Sequence, residues 1–312
     1  MKAGETKRLI VSTFPNAKAL PLWLGVTRGI FARFGVDLSL HETGSSKEQR
    51  EQLAKGGVHI VQAAVDNALA MIKSGTDVII LMGGEGGMND FIVGSDIASV
   101  DDLRGRTLAV DSPDTAYALL ARKILAGRGL TLGRDYELRA VGNGSKRLRA
   151  LKSDPTLAGA ILNPPFSAEA RLVGMRSLGS LDDLVGPYQA GGAFALRAWA
   201  QAHPETVEGY VRGYLASLDW LRDRGNMAEA VGTLRERLHL EHDVARATYE
   251  QLCDPVRGFT PDAKFNGVGF DLVLSVRADT EGFDAALADP RAYVDLSFYD
   301  RVVATRNREK TP

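Results

Sequence analysis

Short apolar runs alternate with helix-like stretches through the first part of the chain. The runs at 9–14, 36–43, 58–65 and 77–83 are rich in apolar and β-branched residues, as strands are. Helical stretches separate them at 22–35, 46–56 and 67–75, and the first of these is expected to end at Gly35. Strands that alternate with helices predict a mostly parallel sheet covered by helices on both faces.

The alternation restarts after a glycine-rich break, GGEGG at 83–87, and an apolar run at 91–94. Further strands are predicted at 106–111, 136–142 and 157–163, with helices at 115–129 and 145–153 between them. A strand then leads into a helix at 191–199, and long helices fill 204–252. Their stripe of Tyr210, Tyr214, Leu218 and Leu221 is interpreted as core packing.

The two α/β units predict a discontinuous first lobe. We assign residues 1–93 to lobe 1, 94–193 to lobe 2, and 194–312 to the returning part of lobe 1 with its C-terminal helices. The hinge is predicted at 90–94 and 191–193, where the chain passes between the units. The cleft between two such lobes is a favoured place for a small ligand, facing the ends of the parallel strands.

Composition and charge exclude several classes of partner. Lys and Arg number 38 against 39 Asp and Glu, so the net charge of −1 favours neither nucleic acid nor an anionic membrane. The basic run KRLRALK at 146–152 is interpreted as a solvated helix face. No apolar run is long enough to cross a bilayer, so stable membrane insertion is not expected.

Location and metal chemistry follow from a few residues. The N-terminal residues lack the pattern of a signal peptide, so we expect a periplasmic protein if an export signal was removed and a cytoplasmic one otherwise. The single cysteine, Cys253, excludes an intrachain disulfide and a cysteine-rich zinc site, and is interpreted as a core residue. His239 and His242 are interpreted as surface histidines, and no metal or cofactor is expected.

Four segments follow one another in an order and at spacings that match a known family: LPLWLGVTRGIFARFGVDLSL at 20–40, IASVDDLRGRTLAVDSPDT at 97–115, LNPPFSAEA at 162–170 and DPRAYVDLSFYDRVV at 289–303. They resemble the ABC-importer solute-binding proteins of the nitrate, sulfonate and taurine type. That group includes the relatives of the thiamine-pyrimidine synthesis proteins. Two departures stand out: His59 occupies a position where an acidic residue is common, and the cysteine-rich iron motif of the yeast-type pyrimidine synthases is absent.

The resemblance implies an α/β, two-lobed periplasmic-binding-protein type II fold, with two mixed sheets flanked by helices and a hinge between them. It also implies that a monomer binds a small organic solute in the interlobe cleft and delivers it to an ABC permease. The solute would belong to the sulfonates, nitrate, aromatic acids or pyrimidines, since the group binds all of these.

The segment ILNPPF places unusual residues where a buried strand passes into a helix. Asn163 can present its amide to a ligand at the strand end, and Phe166 can offer an aromatic wall. The two prolines between them hold the corner and cannot continue the sheet. A plain strand-to-helix turn is the alternative interpretation.

Other strand ends supply further candidates for ligand contact. They are Phe14 and Asn16 after the first strand, Asp66 and Asn67 after the third, Glu85 and Met88 in the glycine-rich break, Asp111, Ser112 and Thr115 after the strand at 106–111, and Tyr188 near the second passage. Helix N-termini at these positions favour an anion, although helix capping alone would explain several of these residues.

Five acidic residues in these loops argue against an anionic ligand: Asp66, Glu85, Asp90, Asp111 and Asp114. If several of them face the cleft, their field opposes a bare anion and suits a ligand with hydrogen-bond donors, such as an aminopyrimidine, amide or amine.

A cytoplasmic enzyme on the same scaffold is the alternative function, of the desulfinase, decarboxylase or pyrimidine-synthesis type. The desulfinases use a cysteine nucleophile, and Cys253 lies in the wrong segment for that role. The effector lobes of a LysR-type regulator are not expected, since eight residues precede Leu9 and these do not make a helix-turn-helix.

Overall fold

The computed structural model describes residues 6–281, 289 and 292–310, and within them the strands form two sheets. The predicted lobes therefore include residues 1–5, 282–288, 290, 291, 311 and 312, which lie outside the described part. The first sheet contains β1 (Lys7–Thr13), β2 (Val36–Glu42), β3 (Ile60–Ala64), β4 (Val78–Glu85) and β10 (Gly191–Leu196), in the spatial order β2-β1-β3-β10-β4. The second contains β5 (Asp90–Val93), β6 (Arg106–Val110), β7 (Tyr136–Ala140), β8 (Leu157–Leu162) and β9 (Arg176–Ser180), in the order β7-β6-β8-β5-β9.

Helices follow most strands. Those that connect strands are α1 (Leu20–Thr27), α2 (Ser46–Ala54), α3 (Asp66–Lys73), α4 (Ala116–Ala126), α5 (Gly144–Ser153), α6 (Phe166–Leu172) and α7 (Leu181–Val185). Those after β10 are α8 (Arg197–Ala202), α9 (Pro204–Arg222), α10 (Met227–Leu238), α11 (His242–Leu252), α12 (Gly267–Glu281) and α13 (Ser297–Lys310). In the described ranges, no helix has the length and apolar character needed to span a bilayer.

Both sheets are mixed, and in each the strand that follows a passage between sheets is the antiparallel one. β10 runs antiparallel to β3 and β4, while β1 is parallel to β2 and β3. In the second sheet β5 runs antiparallel to β8 and β9, while β6 is parallel to β7 and β8. The predicted fold class, two mixed sheets flanked by helices, is confirmed.

The strand pairing differs from the predicted lobe boundaries by a few residues. β5, which we assigned to lobe 1, pairs within the second sheet, and β10 begins at Gly191 in the first sheet. The segments that join the sheets are therefore 86–89 and 181–190, and both predicted hinge segments overlap strands. An apolar run beside a passage can pair with either sheet, and only the tertiary hydrogen bonds decide between them.

Two local predictions, at 22–35 and at 83–87, were wrong. The helix expected over 22–35 ends at Thr27, because Gly29 adopts a positive φ of 62°, and a 3₁₀ turn follows at Phe31–Phe34. The break expected at 83–87 is partly strand, since β4 continues to Glu85. A Cβ at Gly83 would lie 2.4 Å from the carbonyl oxygen of Lys264, so this glycine admits protein backbone rather than a ligand.

The core of the first lobe brings α9 against the sheet. Phe31 is buried and stacks on Tyr210 with ring centroids 5.9 Å apart. Gly25 and Gly213 leave the room for this ring, because a Cβ at Gly213 would lie 2.2 Å from Phe31 Cδ1. The Tyr210 hydroxyl donates to Gln62 Oε1 at 2.8 Å in β3. Gly25 and Gly213 thus let α1 and α9 pack closely against the ring of Phe31.

Alanine at Gly213 is expected to destabilise the protein by about 1–3 kcal/mol, since the buried ring of Phe31 cannot move away from the added methyl group. Urea unfolding followed by circular dichroism measures this change. The matched control is Gly232→Ala in α10, where an added Cβ meets nothing within 4 Å. There, alanine is expected to stabilise the helix by roughly 0.5–1 kcal/mol. Equal effects of the two substitutions would contradict the packing argument.

Candidate ligand-binding site

A cavity of about 390 Å³ lies between the two sheets, at the carboxyl ends of their parallel strands. The first lobe contributes the segments after β1 and β3 together with the last residue of β4. The second contributes the segments after β6, β7 and β8. Tyr214 of α9 and the C-terminal end of α10 complete the wall. This size suits one small molecule.

Most of the residues predicted from the sequence come together here. The cavity is lined by Phe14, Asn16, Asn67, Glu85, Asp111, Thr115, Asn163 and Phe166, whereas Asp66, Met88, Ser112 and Tyr188 do not line it. Contact of the first group with a ligand stays a prediction.

Two of the excluded residues are engaged in local polar contacts. Asp66 is buried and accepts from Arg277 through both carboxylate oxygens, each at 2.6 Å. The hydroxyl of Ser112 donates to the carboxylate of Asp114 in the same loop. Both residues follow a strand, as predicted, but their polar groups are bonded to neighbouring side chains.

The other two excluded residues pack in the interior. Met88 is 2% exposed and belongs to the first-lobe core. Tyr188 is 3% exposed, and a Cβ on Gly269 of α12 would lie 2.7 Å from its carbonyl carbon. Burial raises the pKa of the Tyr188 hydroxyl well above its usual value. Neither side chain lines the cavity.

The Asn-Pro-Pro corner does border the cavity, as predicted. Asn163 is buried, with its amide donating to the carbonyl of Pro164 at 3.1 Å, and Phe166 opens α6. A Cβ on Gly144 would lie 2.5 Å from Phe166 Cδ2 and 3.1 Å from Asn163 Oδ1. Glycine at the start of α5 therefore allows the N-terminal ends of α5 and α6 to meet at the cavity wall.

Helix N-termini surround the cavity on several sides. The lining residues at or beside a helix start are Ser46 (α2), Asn67 (α3), Thr115 and Ala116 (α4), Asn143 and Gly144 (α5), and Pro165 and Phe166 (α6). The free N–H groups of each helix end carry partial positive charge. Together they create a field that favours an anionic group.

A buried ion pair closes the first-lobe side. Lys18 Nζ donates to Glu85 Oε1 at 2.6 Å and to Asn89 Oδ1 at 2.9 Å, and the Tyr117 hydroxyl of α4 donates to the same Asn89 oxygen at 3.3 Å. Burial raises the pKa of Glu85, while Lys18 pulls it down. Burial also acts to lower the pKa of Lys18, but Glu85 and Tyr117 together raise it. The two charges therefore compensate each other.

Arg147 forms the second-lobe side and is not compensated in the same way. Its side chain is 2% exposed, and it donates to the carbonyl oxygens of Gly142 at 2.6 Å and Ile161 at 3.4 Å. Among the described residues, Nε has no hydrogen-bond partner. Burial lowers the pKa of the guanidinium, and nearby Asp111 partly restores it. The interpretation of 146–152 as a solvated face is wrong at this residue, although Lys146 and Arg149 are exposed.

The predicted acidic field is largely neutralised by neighbours. Asp90 does not line the cavity, and its Oδ1 lies 3.1 Å from Arg171 Nη1. Asp114 does not line the cavity either, and its carboxylate accepts a hydrogen bond from the Ser112 hydroxyl. Asp111 does line the cavity and accepts a long hydrogen bond of 3.4 Å from Ser46 in the other lobe. The bias against an anion therefore rests mainly on Asp111.

The C-terminal end of α10 also borders the cavity. Arg237, Leu238 and His239 line it, and the Arg237 guanidinium sits 5.5 Å from the ring centroid of Trp23. His239 ends α10 in the left-handed conformation, at φ 53°, and His242 begins α11. The two histidines therefore lie on separate helices.

Sequence reasoning missed the cationic lining residues and Tyr214. Arg147 lies in the predicted helix at 145–153, and Lys18 lies in the break between the first strand and the first predicted helix. In neither place does the pattern indicate that a charged side chain faces inward. Tyr214 was read as core packing, and it serves both the core and the cavity. Cys253 does not line the cavity, and burial raises the pKa of its thiol. In the described ranges, no cluster of His, Cys, Asp and Glu could hold a metal ion.

Solved structures share this architecture at low sequence identity. A protein of Bordetella bronchiseptica RB50 superimposes with a TM-score of 0.82 at 20% identity, over 96% of this chain and 98% of the other. The periplasmic nitrate-binding protein NrtA from Synechocystis PCC 6803 gives 0.80 at 13%, over 96% and 89%. The alkanesulfonate-binding protein SsuA from Xanthomonas axonopodis pv. citri, bound to MOPS, gives 0.71 at 19%, over 93% and 97%. The chain therefore has the periplasmic-binding-protein fold.

The sequence itself identifies the family. No curated protein sequence matches the chain. The pattern of the NMT1-like family matches residues 2–235, which include both sheets, every helix from α1 to α9 and most of α10. The resemblance inferred from the four segments is thereby confirmed. The chain belongs to the NMT1-like family.

Proposed function

We propose that this protein binds a small organic anion between its lobes and serves as the solute-binding component of an ABC importer. The buried guanidinium of Arg147 carries this proposal, because it stands in the cavity wall with an unpartnered Nε. Helix N-termini from both lobes add positive potential around the same space. An anionic group on the solute would give the Arg147 guanidinium a direct anionic partner, in addition to its two carbonyl acceptors and the more distant Asp111.

The apolar residues of the cavity wall indicate the chemistry of the rest of the solute, apart from its anionic group. Phe14, Phe166 and Phe259 line the cavity together with Ala63 and Ala64. A carboxylate or sulfonate attached to a compact apolar body, including an aromatic one, fits this mixture. The similar structures whose names mention nitrate and alkanesulfonate support the anionic class.

Delivery to a permease, a periplasmic location and a monomeric state belong to the same proposal. Several similar structures are named as periplasmic binding proteins, and one as the ligand-binding component of an ABC-type import system. A two-lobed protein can present a different surface to a membrane partner when its lobes close over a solute. No covalent chemistry is needed for this role.

A ligand screen tests the proposal directly. Thermal-shift measurements and native mass spectrometry with aromatic carboxylates, alkanesulfonates, nitrate, pyrimidines and amides should select members of the anionic sets. Micromolar affinity, about −8 kcal/mol, is expected for the best of them. Each solute should be recovered unchanged after prolonged incubation, and its conversion into a product would favour the enzyme alternative.

Replacing Arg147 with Gln should weaken binding of the selected anion by about 10- to 100-fold, because a charge-assisted hydrogen bond contributes roughly 1.5–3 kcal/mol. Isothermal titration calorimetry measures the affinity. Arg149→Gln is the matched control on the same helix, with an exposed side chain, and should leave the affinity unchanged. An equal loss in both variants would remove Arg147 from the site.

Replacing Asp111 with Asn should strengthen binding of the same anion several-fold, since it removes a like charge from the cavity wall while keeping the side-chain volume. Titrations at low and high salt show whether the gain is electrostatic, because added salt should reduce it. A weaker affinity in this variant would instead show that a donor group on the solute binds the carboxylate.

A further inference from the structure

Arg277 of α12 is a buried arginine that contacts both lobes. Its side chain is 2% exposed, and its Nε and Nη2 donate to the two carboxylate oxygens of Asp66, each at 2.6 Å. Nη2 also donates to the backbone carbonyl of Asp114 at 3.2 Å. Asp66 opens α3 after a strand of the first sheet, whereas Asp114 lies in the segment after β6 of the second. One side chain thus joins the two lobes.

The residues held by Arg277 stand beside cavity-lining residues on each side. Asn67 follows Asp66 and lines the cavity, and Thr115 follows Asp114 and does the same. The distance between these two helix starts therefore depends on the guanidinium between them. A bidentate ion pair with an added carbonyl bond fixes direction as well as distance, because the fork of donors is planar and rigid.

α12 has further anchors on both sides of the molecule. Lys123 of α4 forms an ion pair of 3.1 Å with Asp279, on the second-lobe side. At the start of α12, the N–H of Asn266 donates to Gln189 Oε1 at 2.7 Å, in one of the segments that join the sheets. Phe270, Val273 and Val276 pack into a hydrophobic cluster that contains residues of both sheets. α12 therefore contacts both lobes and one of the segments that join them, and we call this helix the strut.

Stability alone does not account for an ion pair at this place. A buried pair gains little over well-packed apolar residues, because both charges must leave water. What an ion pair adds is a defined geometry between the groups that it joins. The family match ends at residue 235, so α12 lies outside the matched part of the chain.

We propose that Arg277 is a positioning residue that holds the two lobes closed around the cavity, with α12 as the strut on which it is mounted. Opening the lobes separates the segment before α4 from α3 and must break either the bond of Arg277 to the Asp114 carbonyl or its ion pair with Asp66. Arg277 thereby sets the fraction of closed protein, and through it the apparent affinity. The effect on affinity rests on the proposed solute-binding function, whereas the effect on lobe separation does not.

The lobe separation can be measured without any solute. Spin labels on Lys55→Cys and Arg128→Cys, both exposed sites on opposite lobes, report the interlobe distance by electron–electron double resonance in a Cys253→Ser background. Arg277→Met should populate a longer distance that is rare in the parent protein. If the closed fraction falls about tenfold, the apparent Kd for the solute should rise by about the same factor.

Arg197→Met is the matched control. Arg197 Nε also donates to a carboxylate, Asp77, at 2.9 Å, and its Nη2 to a carbonyl, that of Ala292, at 2.6 Å. Asp77 and Arg197 flank adjacent strands of the first sheet, so this substitution should lower the melting temperature without changing the interlobe distance. Rescue by Arg277→Lys of part of the closed population is expected, because the charge next to Asp66 is restored.

A second variant covers the case in which Arg277→Met does not fold. Lys123→Gln weakens the other end of the strut at a partly exposed pair and should lengthen the interlobe distance in the same direction, by less. An unchanged distance distribution in every folded variant would overturn the proposal. An unchanged distance would not contradict the proposed solute binding. Conversely, a parent protein that binds no solute would not contradict a measured change in the interlobe distance.

Discussion

The burial of the Arg147 guanidinium is the constraint on which the proposed preference of the cavity for an anion depends. A guanidinium removed from water is costly unless a negative charge or several acceptors replace its hydration. The wall supplies two carbonyl oxygens and a carboxylate at longer range, and leaves Nε without a partner. The proposed solute anion would complete this arrangement.

The other buried cations differ from Arg147 because each already has a carboxylate partner. Lys18 is paired with Glu85, and Arg277 with Asp66, each at 2.6 Å. Each pair is neutral as a whole, although Glu85 Oε2 has no hydrogen-bond partner among the described residues. We propose that the pairs act mainly through the geometry that they impose on the first-lobe wall and on the lobe interface. We therefore propose that Arg147 serves recognition of the solute, whereas Lys18 and Arg277 serve position.

The topology explains why these groups meet. Parallel strands in each sheet end on the same side, and each is followed by a helix whose N-terminus stands at that end. Two passages between the sheets turn these edges toward each other, with one antiparallel strand in each sheet after the passage. Helices after β10 then return to cover the first lobe and close the back of the cleft.

The sequence by itself determined the local elements, the two α/β units and most of the strand-end residues that line the cavity. Alternating apolar runs and turn residues such as the Asn-Pro-Pro corner are local signals, so a linear pattern carries them. It did not determine that Arg147 and Lys18 face inward, nor that Asp66 and Tyr188 are occupied elsewhere. Those outcomes depend on which helix packs on which strand, and on a partner such as Arg277 that lies 211 positions away along the chain. Only the tertiary structure brings such pairs within hydrogen-bond distance, and it alone decides which charges are compensated.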